Sequence, residues 1–254
     1  MHQRLIISPH LDDAWFDLGG SINEWRKAGD EVTVIDVFSV QAFTRGSVLP
    51  TAEATRIRKL EEQENARRDQ VELKFLDLRE ALLRGYKAIF PPAIDWTIDR
   101  APFDSMVAEL RTGSESLGAG DAVYFPLGAG GHVDHLLVRE AFTILGSDFA
   151  NRGVEIEFYE DLPYACSQGL PLAFISQHRL EPVFERIEIE HKLKAVRAYK
   201  TQVDEQRVGQ INDYAYALRG DGQAYERRWA LRSKVQGPKS KVPVSQGALI
   251  KSNL

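Results

Sequence analysis

The sequence predicts an α/β fold built on a mostly parallel sheet. Three observations carry this expectation. Short β-branched runs alternate with helix-periodic stretches, the first two runs are apolar throughout, and turn residues punctuate the junctions. A strand covered by helices on both faces loses the period of two, because neither face meets water.

Residues 4–8 read as a buried strand. Leu18, Ile22 and Trp25 recur at i, i+4 and i+7, the apolar stripe of a helix, and Gly29 stands where its C-cap falls. Residues 32–38 are the second β-branched run, which completes a βαβ unit. Residues 41–54, polar with Gly46 and Pro50, read as a long loop at the carboxyl end of that strand. A charged helix follows over 53–71, its Glu, Arg and Lys forming a solvated face. Residues 74–77 are a third strand, 104–112 a helix, 122–125 a strand closed by Pro126, 128–131 a turn and 136–145 a helix. Residues 155–159 are a late strand, 186–190 alternate as an edge strand, and 191–202 are helical. Together these describe one domain over 1–254. Residues 1–150 form a Rossmann-like three-layer sandwich, and 151–236 form a C-terminal elaboration that shapes the pocket. Residues 237–254, rich in Lys, Ser, Pro and Gly, read as a flexible tail.

Composition narrows the function. The 254 residues are 43% hydrophobic and 27% charged, enough apolar material for a sizeable core. A net charge of −5 and a pI of about 5.8 argue against nucleic acid and against a polybasic membrane patch. The single cysteine, Cys166, forms no internal disulfide and no Cys-rich zinc site, and it reads as a buried or half-buried small residue. No apolar stretch approaches the ~20 residues of a membrane span, so the chain reads as soluble and cytoplasmic.

Two short segments carry the chemistry. Pro9-His10-Leu11-Asp12-Asp13-Ala14 ends the first strand and opens a helix, which places His10 and Asp13 on one face. His132-Val133-Asp134-His135 likewise follows a strand and opens a helix. Taken alone, the aspartates are helix N-caps and the histidines ordinary core or surface residues. Taken together, they converge on the crevice where the carboxyl ends of α/β strands collect ligands. Two imidazoles and one carboxylate with an open position suit a catalytic zinc, and Fe2+, Co2+ or Mn2+ as alternatives. A dinucleotide-dependent oxidoreductase is excluded, because the first strand leads into paired carboxylates and lacks a Gly-x-Gly-x-x-Gly turn.

These two motifs, with Gly19-Gly20 after the first, resemble the LmbE/PIG-L superfamily of zinc-dependent N-deacetylases. Weaker similarity runs through residues 35–45, 64–66, 75–84, 158–164 and 192–202, covering most of the chain to about residue 205. The resemblance implies that His10, Asp13 and His135 hold zinc and that Asp12 is the general base for a zinc-activated water. It implies that protonated His132 steadies the oxyanion and that Asp134 hydrogen-bonds and orients His132. The implied activity removes an N-acetyl group from an amino sugar or N-acetylglucosamine-type glycoside. The alternatives are an amidase of a larger thiol-glycoside or other amide conjugate, and a non-catalytic metal-binding module. Arg45 and Arg84, on segments that end near the crevice, are candidate substrate contacts. Trp15 and Phe16 are bulkier than expected and are read as packing against the sheet. His2, His178 and His191 have no partners in the sequence and are left outside the chemistry.

Overall fold

The structure is a computed structural model and describes residues 1–231. One seven-stranded sheet runs through them in the order β3-β2-β1-β4-β5-β7-β6. The strands are β1 (Gln3–Ser8), β2 (Glu31–Asp36), β3 (Glu72–Phe75), β4 (Ala122–Pro126), β5 (Glu155–Tyr159), β6 (Glu181–Arg186) and β7 (Tyr225–Ala230). β1 to β5 are mutually parallel, whereas β7 is antiparallel to both β5 and β6. Leu5 and Ile7 of β1 pack on one face and Ile6 on the other, so the unbroken apolar run serves two cores.

Helices cover both faces. α1 (Asp13–Lys27), α2 (Thr51–Asp69), α8 (Ile189–Ala198) and α9 (Glu205–Ala217) supply one core through Leu18, Ile22, Ala66, Val196 and Ile211. α4 (Trp96–Gly113), α5 (Val133–Arg152) and α7 (Leu172–His178) supply the other through Met106, Leu110, Leu137 and Ile175. Two short helices, α3 (Ala81–Arg84) and α6 (Tyr164–Ser167), sit in the connections. The chain order reverses between β1 and β4, which makes their carboxyl ends the switch-point crevice.

Several elements differ from expectation. The alternating segment 186–190 is no strand: β6 ends at Arg186 and α8 begins at Ile189. Its period of two has another cause, since Ile187 packs onto helix α1 where Gly20 has no side chain. A Cβ at Gly20 would lie 2.6 Å from Ile187 Cβ. α8 ends at Ala198 rather than 202. α4 begins well before 104, because the Asp95 side chain accepts from the Thr97 N–H at 2.9 Å and caps it. β7 and α9 escaped the sequence reading. The proposed tail at 237–254 lies outside the described residues.

The largest correction concerns α2. Its charged run is a solvated face only in part: Glu53, Arg56, Glu64 and Arg67 are exposed, whereas Arg58, Glu61, Glu62, Asn65 and Asp69 are buried. The C-terminal part of the chain covers them. Asn65 Nδ2 donates to the Ala195 carbonyl at 3.1 Å, Tyr199 OH to Glu62 Oε2 at 2.6 Å, and the Thr201 N–H to Glu61 Oε1 at 3.0 Å. Among the described residues no helix is long and apolar enough to cross a membrane.

Candidate metal centre and active site

β1 delivers the chain into a tight turn. The Asp12 N–H donates to the His10 carbonyl at 3.0 Å, and the His10 N–H donates to Asp13 Oδ2 at 2.9 Å. This pins His10 and Asp13 side by side at the start of α1. β4 delivers the Gly128–Gly131 strap, and His132 then caps α5. Gly130 has φ +73, and a Cβ there would lie 2.7 Å from Tyr164 Cβ. The absent side chain lets Tyr164 approach the rings of His132 and His135, at centroid distances of 6.1 and 5.6 Å.

The donors converge. One ring nitrogen each of His10, His132 and His135 lie within 4.8 Å of one another, and all three residues are buried. Asp13 Oδ2 lies 3.3 Å from His10 Nδ1 and 3.4 Å from His135 Nε2. His135 Nε2 is buried without a hydrogen bond, an orphaned donor atom facing a carboxylate. Burial works against charge on His10, yet Asp13 and Asp134 raise its pKa to about 10. Burial likewise pushes Asp13 up, but His135 and His10 bring it down to about 2. The carboxylates thus favour positive charge at this spot, which fits a divalent cation held by the imidazoles and Asp13.

Each outer nitrogen is held by a second carboxylate. His10 Nε2 lies 2.9 Å from Asp134 Oδ2, and His135 Nδ1 lies 2.6 Å from Asp161 Oδ1. Asp161 Oδ2 accepts from the Ala129 N–H at 2.7 Å. Asp134 accepts from the Ala81 N–H at 3.0 Å and pairs with Arg84 Nη2 at 2.7 Å. Such carboxylate–histidine pairs fix the ring tautomer and orientation toward a metal.

Asp12 lies beside this set, and His132 is itself one of the clustered imidazoles. Arg58 Nη2 of α2 lies 3.1 Å from Asp12 Oδ2 and 3.1 Å from the Leu11 carbonyl. Burial pushes Asp12 up, Arg58 opposes it and Asp13 adds to it, leaving a pKa of about 7. Asp36 and Glu62 lie in the same buried region, where burial pushes both carboxyls well above the usual carboxylate range. The expected Asp134–His132 pair does not form, because the Asp134 carboxylate is taken by His10, Arg84 and the Ala81 N–H. Instead the Asp134 backbone N–H donates to His132 Nδ1 at 3.2 Å, which places the proton of a neutral ring on Nε2. Burial, then His10 and His135, hold His132 well below its usual pKa.

The structure brings together all six residues of the two motifs. It does not bring in the two arginines as free substrate contacts. Arg84 is almost fully buried, bonded through Nε to Asp99 Oδ1 at 2.8 Å and paired with Asp134. Arg45 is exposed, but its guanidinium is ion-paired with Asp204. Trp15 and Phe16 are buried in the α1-side core, where the Trp15 indole donates to Asp69 Oδ2 at 2.8 Å and Phe16 meets Tyr199 edge-on. Sequence reasoning missed Arg58, Asp161 and Phe90. Asp161 sits in the 158–164 segment, where the demand of a ligand histidine for a carboxylate was a usable signal. Phe90 lay in an unassigned loop, yet its ring stands 5.7 Å from that of His132 and 5.6 Å from that of Tyr164, and it is 44% exposed.

A parallel-sheet switch point holding a buried His/Asp donor set, with one further carboxylate and one further imidazole beside it, defines a metal-site α/β protein. The chain belongs to the GlcNAc-PI de-N-acetylase (PIG-L) family, whose model matches residues 5–145. It is 29% identical over 239 residues to 2'-N-acetylparomamine deacetylase of Streptomyces fradiae, covering 89% of this chain and 80% of that protein. Its fold matches the zinc-inhibited form of teicoplanin deacetylase Orf2 with a TM-score of 0.73 at 21% identity, over 92% of this chain and all of the other. It also matches N,N'-diacetylchitobiose deacetylase from Pyrococcus horikoshii with a TM-score of 0.62 at 21% identity, over 90% of this chain and 83% of the other.

Proposed function

We propose that this chain is a zinc-dependent hydrolase that removes the N-acetyl group of an amino sugar or a glycoside bearing one. The observation that carries this reading is Asp12, a carboxylate outside the His10–His132–His135 donor cluster, buried beside Arg58 with a pKa of about 7, since it is not required merely to retain a cation. His10, Asp13 and His135 hold the metal, with Fe2+, Co2+ or Mn2+ as other acceptable ions. When bound, the ion supplies a Lewis acid for the acyl carbonyl and makes water more acidic. Asp12, poised near neutrality, takes a proton from the attacking water and returns it to the departing amine nitrogen. His132 donates from Nε2 to the oxygen on which charge develops. The family match and the deacetylase activity in the names of the relatives support the same chemistry.

The test is acetate release from N-acetylated sugars, aminoglycosides and thiol-glycosides by metal-loaded protein. Asp12→Asn, verified to retain its metal, serves as the control. Release by the native protein and none by the variant is expected. Absence of release from every compound, at one bound metal per chain, overturns the reading.

A further inference from the structure

Asp17 lies one turn beyond Asp13 on α1 and is buried. Its Oδ1 accepts from the Leu162 N–H at 2.6 Å, while Oδ2 is buried with no hydrogen-bond partner among the described residues. A carboxyl group is a poor choice for the inward side of a helix if packing is all that is required. Taking it out of water is unfavourable, and an oxygen left without a partner adds to the penalty, whereas an apolar side chain of similar volume carries neither. The position calls for a role that needs an oxygen opposite Leu162.

Leu162 follows Asp161, whose two oxygens meet His135 Nδ1 at 2.6 Å and the Ala129 N–H at 2.7 Å. Both residues belong to the connection 160–163 between β5 and α6, which is neither helix nor strand. Two anchors hold it instead. On one side Glu160 accepts from the Trp229 indole at 2.8 Å and from Tyr214 OH at 2.6 Å. On the other side Asp17 takes the Leu162 N–H. Asp161 stands between the two anchors, so the line Asp17–Leu162–Asp161–His135 joins α1 to a metal donor on α5.

Asp17 is itself fixed. Lys192 of α8, 1% exposed, donates from Nζ to the Asp17 carbonyl at 3.0 Å and to Glu226 Oε1 at 2.6 Å. Glu226 of β7 accepts from the Gly20 N–H at 2.8 Å and from the Ser21 N–H at 2.7 Å. This buried ion pair grips backbone groups in the middle of α1 and sets the direction in which Asp17 points.

We propose that Asp17 is a positioning residue of the metal centre: its Oδ1 holds the Leu162 N–H, this sets the Asp161 carboxylate, and Asp161 sets the ring of His135. The proposal rests on His135 being a metal ligand. It assigns an effect on metal affinity to a side chain that bonds none of the donor residues.

The test is zinc affinity by competition with a chromophoric chelator, which needs no turnover. Asp17→Ala should weaken zinc binding about tenfold, the lower end of the effect of groups that orient a ligand histidine. Asp17→Asn, which keeps an oxygen opposite Leu162, should stay close to the native affinity. In the Asp161→Asn background, Asp17→Ala should produce no further loss, because its effect passes through Asp161. Native affinity in Asp17→Ala, even with a lowered thermal midpoint, overturns the proposal, as do losses that multiply in the double variant. Should Asp17→Ala not fold, Asp17→Ser, whose shorter side chain withdraws the acceptor, is read against the same two outcomes. If the native protein binds no zinc, the metal reading falls and this proposal falls with it. If the native protein binds zinc and the Asp17 variants bind it equally well, this proposal alone falls.

Discussion

Arg58 Nη2 of helix α2 reaches Asp12 Oδ2 at 3.1 Å, the one guanidinium contact to the carboxylate beside the metal donors among the described residues. One oxygen of Asp12 is thereby tied down, which orients the other. Arg58→Ala should lower kcat roughly 100-fold, within the usual range for impaired general-base catalysis, with a smaller change in KM. Arg58→Lys should restore part of the loss, because it returns the charge without the fork. Metal content and thermal midpoint measured alongside separate positioning from unfolding. Unchanged turnover in Arg58→Ala would remove Arg58 from the site.

Asp134 and Asp161 hold one ring nitrogen of His10 and of His135, the histidines proposed as metal ligands, at 2.9 and 2.6 Å. Asp134→Asn and Asp161→Asn should each weaken zinc binding about 10–100-fold while the fold survives. Competition with a chromophoric chelator reads this directly, without reference to activity. An affinity equal to that of the native protein would show that these carboxylates only pack.

Phe90 stands against the faces of the site, edge-on to His132 and Tyr164, with nearly half its surface open. An exposed ring there offers an apolar face to a bound sugar. Phe90→Ala should raise KM several-fold and leave kcat near the native value, and Phe90→Tyr should retain both. A fall in kcat at constant KM would place Phe90 in support of His132 instead.

Asp69 reports on stability in acid. Burial raises its carboxyl, but bonds from His191, Arg68 and Trp15 outweigh burial and lower its pKa from 3.8 to about 2. A depressed carboxyl stabilises the fold fully above its unfolded pKa, and the contribution is lost as pH falls through the folded value. The full difference is roughly 2 kcal/mol, trimmed by solvent screening to about 1 kcal/mol. Asp69→Asn should therefore lower the thermal midpoint at pH 7, and the gap from the native protein should close as pH falls from about 4 to 2. A gap that stays constant across that window would mean the charge contributes nothing.

Burial pushes the Cys166 thiol up to about 11. At pH 8 only about one thiol in a thousand is then ionised, and the thiolate is the reactive form. Alkylation by iodoacetamide at pH 8 should be far slower than for a free thiol of ordinary pKa, and it should leave acetate release intact. Rapid modification would contradict the half-buried setting.

The sequence by itself determined the residue types at the centre and their local spacing. Runs such as 4–8 and 32–38 also announced a parallel sheet, because β-branched residues without alternation need cover on both faces. Placing His10 after β1 and His132 after β4 then follows from the topology such sheets adopt. What the tertiary structure alone decided is which partner each buried charge takes. Asp134 looked like the partner of His132, two residues away, yet its carboxylate holds His10 across 124 positions. The charges of α2 looked solvated because a periodic pattern supposes water on the polar side. Here α8 and the segment after it close over that side, and Glu61, Glu62 and Asn65 find partners there. Helical spacing shows which side chains share a face, but what covers that face is set by packing between distant segments, and this is why Arg58 reaches Asp12 in the folded chain.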